Sequence, residues 1–176
     1  TEDMAKTLEP GDLLPVRRLQ PLGGGPPVRI GSNQSRAQVL VLTHSELCER
    51  CTRYLESFED VLEAVRNEKA RVLALVGPKW SDEASDLPVP AVVVDEVLRD
   101  ALSADKTPVV AVVDRFGQLF AVAEAGDEHC FPEHHRILSA LLDIGIRCPE
   151  CGVPDVPSPE LLPEEGTRSG GMLLGQ

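Results

Sequence analysis

Residues 37–77 constrain this chain more than any other stretch. "AQVLVLTH" (37–44) is a short apolar run rich in β-branched residues, with no helical period. Residues 49–67 then place Tyr54, Leu55, Phe58, Val61, Leu62 and Val65 at spacings of three and four, which is one face of a helix. "ARVLALVG" (70–77) returns to a continuous apolar run. Two fully apolar strands joined by a crossover of helix length must lie parallel and be covered on both faces, because a hairpin needs no helix and a one-sided strand would alternate. At the first junction, in "LTHSELCERCTRYLESF" (42–58), stand two cysteines spaced C-x-x-C. That position leaves three readings of Cys48 and Cys51: a redox pair, half of a metal site, or two small buried residues.

The remaining periodicity fixes the order of elements. "GDLLPVRRLQPLGGGPPVRIGS" (11–32) holds two short apolar pieces about Gly23–Pro27 and predicts a hairpin-like opening segment. After a Pro- and acid-bearing connector (78–90) come a short strand, "PAVVVD", and a short helix, "EVLRDALSA". "TPVVAVVDRFGQLFAVAEA" (107–125) predicts an antiparallel hairpin turning at Asp114–Gly117. "PEHHRILSALLDIGI" predicts a closing helix with Pro132 at an early position and a stripe of Ile137, Leu138, Leu141, Leu142 and Ile144. Residues 1–10 read as a flexible N-terminus and 11–152 as one domain. Residues 153–176, rich in Pro, Gly and acids without a period, read as a disordered tail.

Composition removes several classes of function. A formal net charge of −12, from 29 acidic and 17 basic residues, argues against a broad basic surface for nucleic acid or anionic lipid. With 3% aromatic residues there is little for bases to stack on. No apolar run approaches the roughly 18 residues that span a bilayer, and "TEDMAKTLEPGDLL" has no basic flank or apolar block of a secretory signal. The expectation is a cytoplasmic protein. Five cysteines, grouped as 48/51, 130 and 148/151, are too few for a disulfide scaffold and point to local thiol chemistry or metal binding.

A thiol at the first turn of a helix meets unpaired backbone N–H groups and the positive end of the helix dipole, both of which favour thiolate. Cys48 is placed to be a nucleophile, and Cys51, one turn later, to resolve a mixed disulfide formed on it. Arg50 adds a positive charge nearby, and Glu46 and Glu49 oppose it. The second pair, in "RCPECGVP", has the shape of a zinc-ribbon knuckle, so Cys148 and Cys151 are candidate zinc ligands. A closed site there would draw on Cys48 and Cys51, or on some of Cys130, His129, His134 and His135. A second redox pair, simple structural thiols or a tail disulfide are the alternatives. Cys130 reads as an ordinary loop thiol. Trp80, Tyr54 and the four Phe residues are too scattered for a cofactor box and read as core or rim, and "GGGPP" lacks the helix and Lys-Ser/Thr of a phosphate loop.

The order strand, "CERC", long helix, strand, "KTPVVAVVDRFGQLF" and closing helix resembles the thioredoxin superfamily over roughly residues 11–147. The opening segment "PGDLLPVRRLQPLGGGPPVRI" is similar to the extra strands of its redoxin branch, which includes the peroxiredoxins and the AhpC/TSA-like proteins. The resemblance implies a three-layer fold, with a mixed central sheet between helices and an N-terminal strand extension. It also implies a cis Thr107–Pro108 bond facing Cys48 and Cys51, with Pro108 joining them as a site residue. The implied activity is thiol–disulfide exchange through "CERC". It needs no organic cofactor, acts on a protein or small-molecule disulfide, and is resupplied by a thiol donor. Leu47 and Arg50 replace the Trp that thioredoxins carry before the first cysteine and the Pro that they carry before the second. The peroxiredoxin P-x-x-x-T-x-x-C pattern survives only as Ser45 and Cys48, and its Arg is absent near Thr107 and Pro108, which favours exchange over peroxide reduction. A thiol peroxidase and a non-catalytic binding protein with a zinc-holding C-x-x-C are the other readings.

Overall fold

The computed structural model describes residues 7–31, 34–80, 86–102 and 107–146. The Cys148/Cys151 knuckle, the tail 153–176 and most of the N-terminal segment 1–10 lie outside the described residues. Strands β3 (Ala37–Leu42) and β4 (Ala70–Val76) form a parallel ladder, with Val39 opposite Val72 and Val41 opposite Ala74. β5 (Ala91–Val93) extends it in parallel on one side. β6 (Val109–Val113) and β7 (Leu119–Glu124) extend it in antiparallel sense on the other, giving the order β5-β4-β3-β6-β7. The predicted hairpin turn is made by Asp114, whose carboxylate accepts the N–H groups of Phe116 and Gln118, and by Gly117 at φ 84°.

Because side chains alternate across a strand, the continuous apolar runs feed two separate cores. Val39, Val41, Val72, Val110 and Val112 face Leu55, Phe58 and Val65 on one side and Ile137 and Leu141 on the same layer. Leu40, Leu42, Leu73, Leu75 and Val109 face the opposite way, onto Leu98 and Leu102. That second face is also covered by Leu14, Leu19 and Ile30 of the opening segment, whose strands β1 (Arg17–Leu19) and β2 (Val28–Ile30) pair antiparallel. The extension is tied to the sheet through hydrogen bonds between Val93 N–H and Gln20 O and between Leu22 N–H and Ala91 O, and through an Arg17–Asp95 ion pair. Asp95 also caps the short helix α3 (Glu96–Ala101), accepting from Leu98 N–H at 2.9 Å. The result is the expected three-layer architecture with a mixed central sheet and an N-terminal strand extension. Among the described residues no helix is long and apolar enough to cross a membrane.

Two helices differ from expectation. The single helix expected over 49–67 is α1 (Glu49–Ser57), a 3-10 turn (Phe58–Val61) and α2 (Leu62–Asn67). The Ser57 hydroxyl donates to Tyr54 O one turn back, which competes with the regular ladder and loosens the helix there. The apolar face survives the break, with Leu55, Phe58 and Val65 all buried. The closing helix, α4 (His134–Ile146), starts two residues after Pro132, whose carbonyl is taken by the Tyr54 hydroxyl at 2.9 Å. Its buried face is Ile137, Ala140 and Leu141, while Leu142 is 53% exposed, so the stripe is narrower than the sequence suggested. Replacing Phe58 by Ala is expected to cost roughly 3–5 kcal/mol, since the site is fully enclosed. Leu142→Ala should stay within about 0.5 kcal/mol. Urea denaturation of the two variants measures the contrast.

Candidate active site

The sheet brings several strand ends to one edge. Pairing of Leu42 with Val109 sets the end of β3 beside the start of β6, and pairing of Val109 with Glu124 sets the end of β7 next to both. The chain leaving β3 passes through Thr43 and His44 to Cys48. The chain entering β6 does so through a cis Thr107–Pro108 bond. The chain leaving β7 runs into 125–131, held to Pro108 by hydrogen bonds from Ala125 N–H (2.8 Å) and Gly126 N–H (3.3 Å) to its carbonyl.

The loop between β3 and α1 is seated from below. Trp80, almost fully buried, donates its indole N–H to His44 O at 3.2 Å and Glu46 O at 3.1 Å. Gly77 lies under Ser45, where an added Cβ would come within 2.2 Å of the Ser45 carbonyl oxygen. Arg99 reaches across from α3 to Thr43 O at 3.2 Å. The backbone carrying His44 and Cys48 is therefore fixed by groups far away in sequence.

Cys48 is the residue immediately before α1, with extended backbone (φ −128°, ψ 121°), and is half-buried. Cys51, in the first turn, is fully buried. Two histidines complete the cluster. His129 Nε2 lies 3.2 Å from Cys48 Sγ, and His44 Nδ1 lies 3.7 Å from Cys51 Sγ. One ligand atom from each of these four residues falls within 4.8 Å of the other three, which sets the two sulfurs side by side. The imidazoles meet edge to face at 5.0 Å. Asp127 lies beside both rings and hydrogen-bonds to that of His129. Its carbonyl is 2.8 Å from His129 Nδ1, and its carboxylate is 3.6 Å from His44 Nε2.

His129 holds its place because the segment after it is pinned to α1. Tyr54 stacks flat on Phe131 with centroids 4.0 Å apart, and Phe58 meets His134 edge to face at 4.5 Å. His129 itself adopts a left-handed backbone (φ 57°) at the end of a turn opened by Gly126. Cys130, next to it, is exposed and not in the cluster.

This setting divides the two thiols. Burial works to raise the pKa of Cys48, but the Cys51 backbone N–H, the His44 and His129 imidazoles and the Cys51 thiol outweigh it and bring it down to about 6. Burial pushes Cys51 up to about 12, against the lowering effect of the His44 backbone, and the neighbouring Cys48 sulfur adds to the rise. Glu46 and Glu49, which the sequence sets against the thiolate, are engaged by Lys79 and Arg53 respectively.

The structure thus brings Cys48 and Cys51 together at the helix start and puts Pro108 at the same sheet edge. Cys148 and Cys151 fall outside the described residues. Of the histidines weighed as metal partners, His129 is in the cluster, whereas His134 bonds to Ser57 and His135 pairs with Glu133. The sequence reading missed His44. Its position, four residues before Cys48 at the end of an apolar strand, was the available signal.

No protein-family model matches the chain, and neither does any curated protein. Solved structures do. A peroxiredoxin-like protein from Aquifex aeolicus superposes with a TM-score of 0.64 at 13% identity, over 80% of this chain and 90% of that one. Mycobacterium tuberculosis AhpC gives 0.60 at 16%, over 84% of this chain and all of its own. A Chlorobium tepidum protein assigned as the thiol:disulfide interchange protein DsbE gives 0.55 at 16%, over 66% and 85%. The chain has a thioredoxin-like fold, similar to that of these peroxiredoxin-related structures.

Alkylation of Cys48 by iodoacetamide should follow its thiolate. Because the pKa is lowered, the rate rises with pH through a midpoint near 6, and it falls to about a tenth of its plateau one pH unit below that midpoint. In urea the midpoint should move to about 8.5. Mass spectrometry of the labelled peptide measures both. Gly77→Ala forces the 44–46 loop off its seat, and is expected to cost on the order of 1–3 kcal/mol and to shift the alkylation midpoint upward.

Proposed function

We propose that this chain is a thiol–disulfide oxidoreductase of the thioredoxin/redoxin type, working by dithiol exchange through Cys48 and Cys51. One observation carries the reading: a half-exposed sulfur at a helix start, 3.2 Å from an imidazole nitrogen, beside a second, fully buried sulfur. The accessible thiol attacks and the enclosed one waits. The Cys48 thiolate attacks one sulfur of a substrate disulfide, forming a mixed disulfide and expelling the other sulfur as a thiolate that takes up a proton. Burial does most to hold the Cys51 proton, and with Cys48 now bonded the negative charge that added to it is gone. His44 Nδ1, 3.7 Å away, is placed to receive that proton. The Cys51 thiolate then attacks Cys48 Sγ, closes the Cys48–Cys51 disulfide and releases the second substrate thiol. Two electrons pass to the substrate, and an external thiol donor returns them.

Pro108 is the third site residue in this reading, at the sheet edge where β6 begins, its carbonyl holding the loop that carries His129. No organic cofactor is needed. The partners are a protein or small-molecule disulfide and a thiol reductant, neither a nucleic acid nor a membrane, in a reducing compartment such as the cytoplasm. Support comes from the fold shared with the DsbE-assigned protein and with a yeast mitochondrial 1-Cys peroxiredoxin whose thiol is resolved through glutathione and thioredoxin systems. A thiol peroxidase is less well supported, since Ser45 is exposed and its carbonyl is packed on Gly77.

Cys48→Ser is expected to lower the reduction of a model protein disulfide by about two orders of magnitude or more. Cys51→Ser should accumulate a mixed disulfide on Cys48, seen as a mass increment on its peptide. An adduct on Cys51 in the Cys48→Ser protein, with turnover retained, would reverse the two roles. Consumption of hydroperoxide outpacing disulfide reduction would move the reading to a peroxidase.

A further inference from the structure

We infer that His44, Cys48, Cys51 and His129 form a four-coordinate site for a zinc ion in the reduced protein. Zinc bonds to thiolate at about 2.3 Å and to imidazole at about 2.0–2.1 Å, so neighbouring ligands on a tetrahedron stand roughly 3.3–3.8 Å apart. Here Cys48 Sγ and His129 Nε2 are 3.2 Å apart, Cys51 Sγ and His44 Nδ1 are 3.7 Å apart, and all four donor atoms lie within 4.8 Å of one another. Side-chain adjustments of a few tenths of an ångström up to about one would close the set around an ion.

The outer contacts point the same way. A metal-binding imidazole usually donates its other N–H to a carboxylate or carbonyl, which turns the free lone pair toward the ion. His129 Nδ1 lies 2.8 Å from the Asp127 carbonyl, which leaves its Nε2 facing Cys48, and His44 faces Cys51 with Nδ1 while its Nε2 points toward the exposed Asp127 carboxylate at 3.6 Å. Two thiolates and two imidazoles select a borderline or soft ion over a hard one such as magnesium or calcium. Both histidines come from outside the C-x-x-C motif, and the loops that carry them are seated by Trp80, Gly77 and Tyr54.

This goes beyond dithiol exchange and bears on its regulation, because an ion held by both sulfurs blocks attack on a disulfide, and closing the Cys48–Cys51 disulfide removes both sulfur ligands. The test uses the full chain with Cys148→Ser and Cys151→Ser, so that the other cysteine pair does not contribute. Reduced and stripped of metal, it is titrated with Zn²⁺ against a chromophoric chelator, and in parallel with Co²⁺, whose visible absorption reports tetrahedral sulfur–nitrogen ligation. One ion per chain is expected, with binding weakened about tenfold or more by each of His44→Asn and His129→Asn. Binding should be lost with Cys48→Ser, unchanged by Cys130→Ser, and absent in the disulfide form. Asparagine is chosen at 129 because it tolerates the left-handed backbone, and circular dichroism confirms that each variant is folded. Binding well below one ion per chain, or binding indifferent to both histidine substitutions in folded protein, would overturn the inference. Disulfide exchange is assayed separately in chelator. A chain that exchanges disulfides but ignores zinc sinks only the metal site, and one that binds zinc as described without exchanging sinks only the redox reading.

Discussion

The site depends on β3 being paired on both sides. Its parallel ladder with β4 and its antiparallel ladder with β6 fix the point where the chain leaves the sheet, beside the start of β6 and the end of β7. Both faces of this ladder are sealed, one by α1, α2 and α4 and the other by α3 and the opening segment, so the register cannot slip without exposing a whole apolar face. What varies between proteins of such a fold is the loops that emerge at this edge. In this chain they carry two sulfurs, two imidazoles and a proline.

The two cysteines, one helical turn apart, have opposed environments. Cys48 is near the surface, where a helix start and two histidines reward a negative charge. Cys51 is enclosed, and a second negative charge beside the first would be repelled. In the proposed exchange, one thiol reacts while the other holds its proton until the first has been consumed. The same four donor atoms that share protons in this state are spaced to share a metal ion. In the proposed zinc site, a proton and a zinc ion are alternative occupants of one cluster, and a disulfide would exclude the metal.

The aromatic residues show how support and site are joined. Tyr54, Phe58 and Phe131 read singly as core or rim residues. Folded, they lie between α1 and the segment preceding α4, and with Pro132 O as an anchor they fix the loop that ends in His129. Trp80 does the corresponding work for the 44–47 loop from the opposite side.

Periodicity within the sequence determined the strands and helices, because alternation and three-to-four spacing are local records of which side chains share a face. It likewise set Cys48 and Cys51 at a helix start, where the backbone alone alters thiol chemistry, and marked Pro108 through its likeness to thioredoxin-type chains. The break at Ser57 was not legible there, since it rests on a hydroxyl turning back to the Tyr54 carbonyl; nor was the exposure of Leu142, which depends on how much of the helix its neighbours cover. Tertiary structure alone decided that His44 and His129, 85 positions apart, close around the sulfurs. A histidine's role is set by what lies within a few ångströms of its ring, and that follows from the register of β3, β6 and β7, not from any spacing along the chain.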